Sequence, residues 1–140
     1  LPPGYELTDE PARIDPAAAH AYLTRSYWSP GIPLAIVERA VANSLCVAVL
    51  YHGEQVAMAR LVTDYATFAY LADVYVLEEH RGQGLSKAML GHLHARADLQ
   101  GLRRWALFTR DAHELYAQFG WRGTQHPERL MLRENREAYA

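Results

Sequence analysis

The apolar pattern between Leu45 and Leu99 changes period once, and that change leaves few folds open. Leu45 to Tyr51, Gln55 to Thr63 and Thr67 to Val76 are consecutive strand-like runs, separated only by His52-Gly53-Glu54 and Asp64-Tyr65-Ala66. Connections this short make neighbouring strands antiparallel, because a parallel crossover needs about a dozen residues or more. From Leu85 the period becomes helical. Leu85, Met89, Leu93 and Ala97 recur at four-residue steps and predict a helix to about Leu99. Trp105 to Thr109 then reads as a strand, so Phe68 to Thr109 forms a βαβ unit joined to a meander.

The flanks fill in around this centre. Tyr5 to Thr8 is a short first strand, and Asp15-Pro16 is an N-cap followed by proline, opening a helix to about Ser26. The prolines and glycine of Tyr27 to Pro33 break it, and Leu34 to Asn43 resumes helical spacing. Asp111 is expected to cap a short helix ending near Phe119 with Gly120 as its stop, and Arg129 to Arg133 to be a last strand. The expected fold is mixed α/β, one domain over residues 1–140, with a mainly antiparallel central sheet flanked by helices. Half of the residues are hydrophobic, enough for a core without metals or disulfides. The 14 Lys and Arg against 16 Asp and Glu leave no basic excess for a nucleic-acid partner. The longest apolar run, Leu45 to Tyr51, is far short of the ~20 residues of a spanning helix, and Leu1 to Tyr5 lacks the character of an export signal. The lone Cys46 reads as a buried side chain in a reducing, cytoplasmic setting.

Chemistry concentrates in Asp73 to Ser86, a strand followed by a loop with Gly82 and Gly84 and then a helix start. Such a loop can aim successive backbone N–H groups at one point, where the helix dipole adds positive potential; the natural ligand is a phosphate or pyrophosphate. A Walker loop is absent, and a dinucleotide fingerprint starting at Gly82 fails because Lys87 stands at its last glycine.

The run Arg81-Gly82-Gln83-Gly84-Leu85-Ser86 resembles the acyl-CoA loop of the GNAT acetyltransferases, Q/R-x-x-G-x-G/A, with Ser86 in the final small position. Val76 to Gly82 resembles the family's V-x-P-E-x-R-G lead-in, with Glu78 replacing proline. Ala112-His113-Glu114-Leu115-Tyr116-Ala117-Gln118-Phe119-Gly120-Trp121 resembles its A-x-x-L-Y-x-x-x-G-F signature, with Trp for Phe. The resemblance implies a sheet that splays to admit the pantetheine arm of acetyl-CoA. The main chain of Val74, Tyr75 and Val76 would pair with that arm, Arg81 to Ser86 would wrap the pyrophosphate, and Thr109 would replace a customary asparagine at the strand end. It further implies direct acetyl transfer to an amine, with Tyr116 supplying a proton to the departing thiolate.

The base is less defined. The carboxylate some family members carry before position 73 is Ala72 here, leaving Asp73 as the nearest candidate, directly or through water. Strand alternation puts Asp73 on the face of Leu71 and Tyr75. Tyr27 and Trp28 either pack a helix end or wall the acceptor pocket. His92 and His94 diverge on a helix, so no metal site is expected. The function expected is acetyl transfer to a small amine; a peptide or protein acceptor and a non-catalytic acyl-CoA-binding module are the alternatives. A homodimer is expected from family habit.

Overall fold

The computed structural model describes residues 1–139. Five strands, β1 (Tyr5–Thr8), β2 (Leu45–Tyr51), β3 (Glu54–Thr63), β4 (Phe68–Val76) and β5 (Arg104–Leu107), form one sheet in the order β1-β2-β3-β4-β5. The first three pairings are antiparallel, and β4 with β5 is parallel, as the short loops and the crossover require. His52 and Gly53, both at positive φ, make the tight β2–β3 turn.

Helices cover both faces. On one, α3 (Leu85–Ala95) buries Leu85, Met89, Leu90 and Leu93 against Val47, Val49, Ala59 and Leu71. A fully buried Leu or Met contributes about 1.5–3 kcal/mol, so these four side chains pin the start of the helix and the loop leading into it. On the other face, α1 (Pro16–Leu23) and α2 (Leu34–Ala42) pack Ala19, Leu23 and Val37 on Ala48, Met58 and Tyr75. The Asp15 carboxylate accepts the N–H groups of Ala17 and Ala18, at 3.0 and 3.2 Å, confirming it as the α1 N-cap.

Four expectations need correction. The helix α3 ends at Ala95 and a 3₁₀ turn, Ala97–Leu99, follows, so Ala97 is exposed and not part of the buried stripe. Asp111 does not cap α4 (His113–Ala117); the N–H of Ala112 instead donates to Thr109 Oγ1 at 3.0 Å. Arg129 to Arg133 is no strand: Pro127–Arg129 is a 3₁₀ turn and the residues beyond it are irregular. Lastly, the register skips Ala72, since Arg60 pairs with Asp73 but Leu61 with Leu71. This β-bulge switches the facing, so Asp73 keeps the company of Tyr75 but leaves the α3 face to Leu71.

Candidate active site

Parallel pairing of β4 with β5 stops at Leu71–Leu107, although β4 continues to Val76. Past that point the strands part, and the β5-side edge of residues 72–76 has no partner strand among the described residues. A cleft of about 1440 Å³ opens there, lined on opposite sides by Val74 to Val76 and by Phe108 to Ala112.

One end of the cleft is built of backbone. A 3₁₀ turn, Glu78–His80, carries the chain from β4 into the loop, where Gly82 and Gly84 have φ of 79° and 78°. A Cβ at either glycine would meet no atom within 4 Å, so the left-handed backbone demands glycine here, not crowding. The first intrahelical bond of α3 is Ala88 N–H to the Gly84 carbonyl at 3.0 Å, leaving the earlier amides of the helix without intrahelical acceptors. Arg81, Gly82, Gly84, Leu85 and Ser86 line the cleft with Lys87; Gln83 is exposed on the loop between the glycines. Arg81 is steered by bonds from Nε to the Val76 carbonyl, 3.3 Å, and from Nη2 to Tyr22 Oη, 3.1 Å. Glu78, standing where the loop lead-in usually has proline, makes a two-pronged ion pair with Arg25 at 2.7 and 3.1 Å. Hydrogen bonding by that guanidinium pulls the Glu78 carboxyl down to about 2. Arg25 also lies 4.4 Å over the Tyr22 ring, which stacks at 4.7 Å on Tyr75. Burial raises the Tyr75 hydroxyl to about 12, and Gln55 Nε2 donates to it at 3.1 Å.

The other end is aromatic. Tyr27, Trp28, Tyr70, Phe108, Tyr116 and Tyr139 all face the cleft. Trp28 Nε1 donates to Asp73 Oδ1 at 2.8 Å, and Arg60 Nε donates to Oδ2 at 2.7 Å. Both carboxylate oxygens of Asp73 are thus engaged, and Arg60 is further held by Nη1 to Ser44 Oγ at 3.1 Å. Trp28 is therefore a fixed part of the wall. Tyr27 reaches across the cleft: its hydroxyl accepts the Arg110 N–H at 3.4 Å, and the Arg110 guanidinium lies 3.8 Å over its ring.

Tyr116 is 9% exposed, held by α4 against the α3-side core. Burial, with smaller contributions from Tyr27 and Asp111, raises its hydroxyl above the ordinary value of 10.0. It is a protonated phenol at neutral pH, and among the described residues its hydroxyl has no hydrogen-bond partner. Burial also raises the Cys46 thiol, to about 11, and its side chain lies in the core on the α1–α2 side, so it is not an available thiolate. Among the described residues no three His, Cys, Asp or Glu side chains stand together as a metal-holding group, and no helix is long and apolar enough to cross a membrane.

The cleft thus brings together every sequence-selected site residue except Gln83, which sits on its rim. It also recruits Arg60, Tyr22, Tyr70 and Phe108, and Glu134 and Tyr139 from the C-terminal segment. Of these only Arg60 carried a usable signal: a single charge inside the apolar run Val56 to Val62 needs a buried counter-charge, and Asp73 is the matching anomaly in β4.

Comparison with known proteins agrees with this geometry. The Acetyltransferase (GNAT) family profile matches residues 5–121. A Gibberella zeae protein, FG08082, named as a candidate acetyltransferase, is 31% identical over 137 residues, covering 81% of this chain and 76% of that protein. A crystal structure from Xanthomonas campestris pv. campestris, of a protein described as belonging to the GNAT family, superposes with a TM-score of 0.93 at 45% identity, covering 99% of this chain and 98% of that one. An Elizabethkingia anophelis GNAT acetyltransferase with acetyl-CoA bound shares the fold, with a TM-score of 0.66 at 14% identity over 89% of this chain and 80% of that one.

Proposed function

The chain belongs to the GNAT acetyltransferase family, and from that premise we propose that it moves an acetyl group from acetyl-CoA directly to the amine of a small molecule. The observation that carries the proposal is the single cleft joining a left-handed glycine loop and an unpaired β4 edge to the buried phenol of Tyr116. Acetyl-CoA supplies an activated thioester when bound. The amides after Gly82 and Gly84, with Arg81, suit its pyrophosphate, and the open edge of Val74, Tyr75 and Val76 suits the amides of its pantetheine arm. Ser86 at the last loop position is half-buried and small enough to keep the helix start close to such a ligand, and Thr109 lines the opposite wall.

The reaction needs a neutral amine and a proton for the departing thiolate. Tyr116 holds that proton: its hydroxyl is protonated, faces the cleft and is not committed to another acceptor. Asp73 acts as a positioning residue, its two oxygens fixing Trp28 and Arg60 in the acceptor wall. Water in the open cleft takes the proton that the acceptor ammonium gives up. The aromatic wall, and Tyr27 closed over the cleft onto Arg110, favour a small amine over a polypeptide. The enzyme's setting in this reading is the cytoplasm, and its working form a homodimer.

The test is a panel of small amines and lysine peptides with acetyl-CoA, reading free thiol. Release with small amines and not with peptides is the expected result. Acetyl-CoA binding without release on any amine would leave an acyl-CoA-binding module instead.

A further inference from the structure

Resting on the acetyl transfer proposed above, we propose that the acceptor is a short diamine. One nitrogen enters the reaction beside Tyr116; the other stays a protonated ammonium, held by the Glu134 carboxylate and the ring faces of the cleft. The division of charge along the cleft, its aromatic faces and the chemistry of the attacking nitrogen carry the inference.

The two ends of the cleft differ in sign. At the glycine-loop end Arg25 is neutralised by Glu78 at 2.7 Å, whereas Arg81 and Lys87 stand in no salt bridge among the described residues. Those two uncompensated cations suit phosphates. At the aromatic end Arg60 is neutralised by Asp73 at 2.7 Å, and Arg110 lies 3.9 Å from Asp111. The remaining carboxylate of the lining is Glu134, which has no salt-bridge partner among the described residues. It directly precedes the turn in which the Ala138 N–H donates to the Asn135 carbonyl at 3.3 Å, the turn that brings Tyr139 to the aromatic end. The acceptor end is thus left with one negative charge that no cation of the described protein answers.

The rings of this cleft already collect cations. The Arg25 guanidinium lies 4.4 Å over Tyr22, and that of Arg110 lies 3.8 Å over Tyr27. Trp28, Tyr70, Phe108 and Tyr139 line the same space with no cation over them among the described residues. The negative face of each ring attracts an ammonium and repels a carboxylate. A carboxylate-bearing acceptor would also meet Glu134, and Arg60, its natural partner, is already matched by Asp73.

The reaction gains from the second charge. A nearby ammonium makes the first easier to deprotonate, which raises the fraction of neutral, attacking amine. That nitrogen forms the N–C bond to the acetyl carbon, and the C–S bond breaks with its electron pair going to sulfur. Sulfur takes the Tyr116 proton, and the proton shed by the new amide nitrogen restores the phenol. The second ammonium keeps its charge throughout, so Glu134 and the rings hold it equally in substrate and transition state.

The test measures thiol release from acetyl-CoA with terminal diamines from diaminopropane to diaminohexane. Each is compared with the monoamine and the ω-amino acid of equal chain length. The best diamine should exceed its monoamine in kcat/KM by roughly tenfold, with the ω-amino acid poorest of the three. Added salt should shrink that advantage, because Glu134 is exposed and its pairing is screened. Glu134→Arg should invert the order, favouring the ω-amino acid over the diamine. This order is a ratio within one variant, so the folded fraction and the acetyl-CoA affinity cancel from it. Monoamines acetylated as well as diamines overturn the inference and leave the acetyl transfer standing. A wild-type preference for the ω-amino acid overturns it and assigns Arg60 to the acceptor carboxylate. A diamine advantage that survives Glu134→Arg also overturns it. An acetyl-CoA melting shift without thiol release on any amine overturns the transfer reading, and this inference with it.

Discussion

Replacing Asp73 with alanine removes the one carboxylate that faces Arg60 inside the protein. The pair is close, with Arg60 Nε 2.7 Å from Oδ2, and the two side chains are only 18% and 7% exposed. Removing one partner of a buried pair costs about 3–5 kcal/mol, because the surviving charge is left desolvated and uncompensated. Arg60 retains its bond to Ser44 and some access to water, which lowers the expected loss to about 2–4 kcal/mol, roughly 6–12 °C in melting temperature for a domain of this size. Urea denaturation measures it: the midpoint should fall while the slope stays constant, as expected for a change in stability alone. A companion variant sharpens the reasoning. Arg60→Met together with Asp73→Leu removes both charges, so most of the loss should return, short of the ~1 kcal/mol left by the Trp28 indole without its acceptor. A loss under about 1 kcal/mol for Asp73→Ala, or a double variant as unstable as the two single losses combined, would refute the account of Asp73 as the anchor of a buried pair.

Three further outcomes are expected. Tyr116→Phe keeps the packed ring and removes only the hydroxyl, so turnover should drop by roughly tenfold or more at unchanged acetyl-CoA affinity; lost affinity would instead make the hydroxyl a cofactor contact. Gly84→Glu forces a side chain onto a φ of 78° at a cost of about 1 kcal/mol, but its Cβ enters open space, so the variant should fold and yet lose the melting shift given by acetyl-CoA; normal binding would sink the loop assignment. Burial lowers the His94 pKa below its ordinary 6.5, and Trp121 donates to its Nε2, so the unfolded chain takes up the proton first. The stability this contributes is complete above about pH 6.5 and is lost as pH falls through the window beneath it; His94→Phe should flatten the slope of unfolding free energy from there to about pH 5, and an unchanged slope would remove His94 as its source.

Much of the molecule was legible because its signals are local. A period of two between short turns dictates a meander, an apolar four-residue step dictates α3, and a glycine that must adopt positive φ marks the loop whatever surrounds it. Those rules place β1 to β5 and the glycine loop, whereas Tyr116 is marked only by the resemblance of Ala112 to Trp121 to the family signature. The tertiary structure decided what depends on register and on partners distant in the chain. The face of Asp73 turned on one skipped residue, Ala72, because a bulge reverses alternation and leaves no mark in composition. The partner of Asp73 came from Arg60 on the neighbouring strand, since a buried charge is neutralised by whatever the pairing brings opposite. Asp111 caps nothing, because α4 begins with Ala112 as its N-cap and carries no side-chain cap, while the Ala112 N–H donates to Thr109 Oγ1. Leu130 to Arg133 has the composition of a strand and remains unpaired, for a strand is defined by its neighbour and a single chain places none beside it.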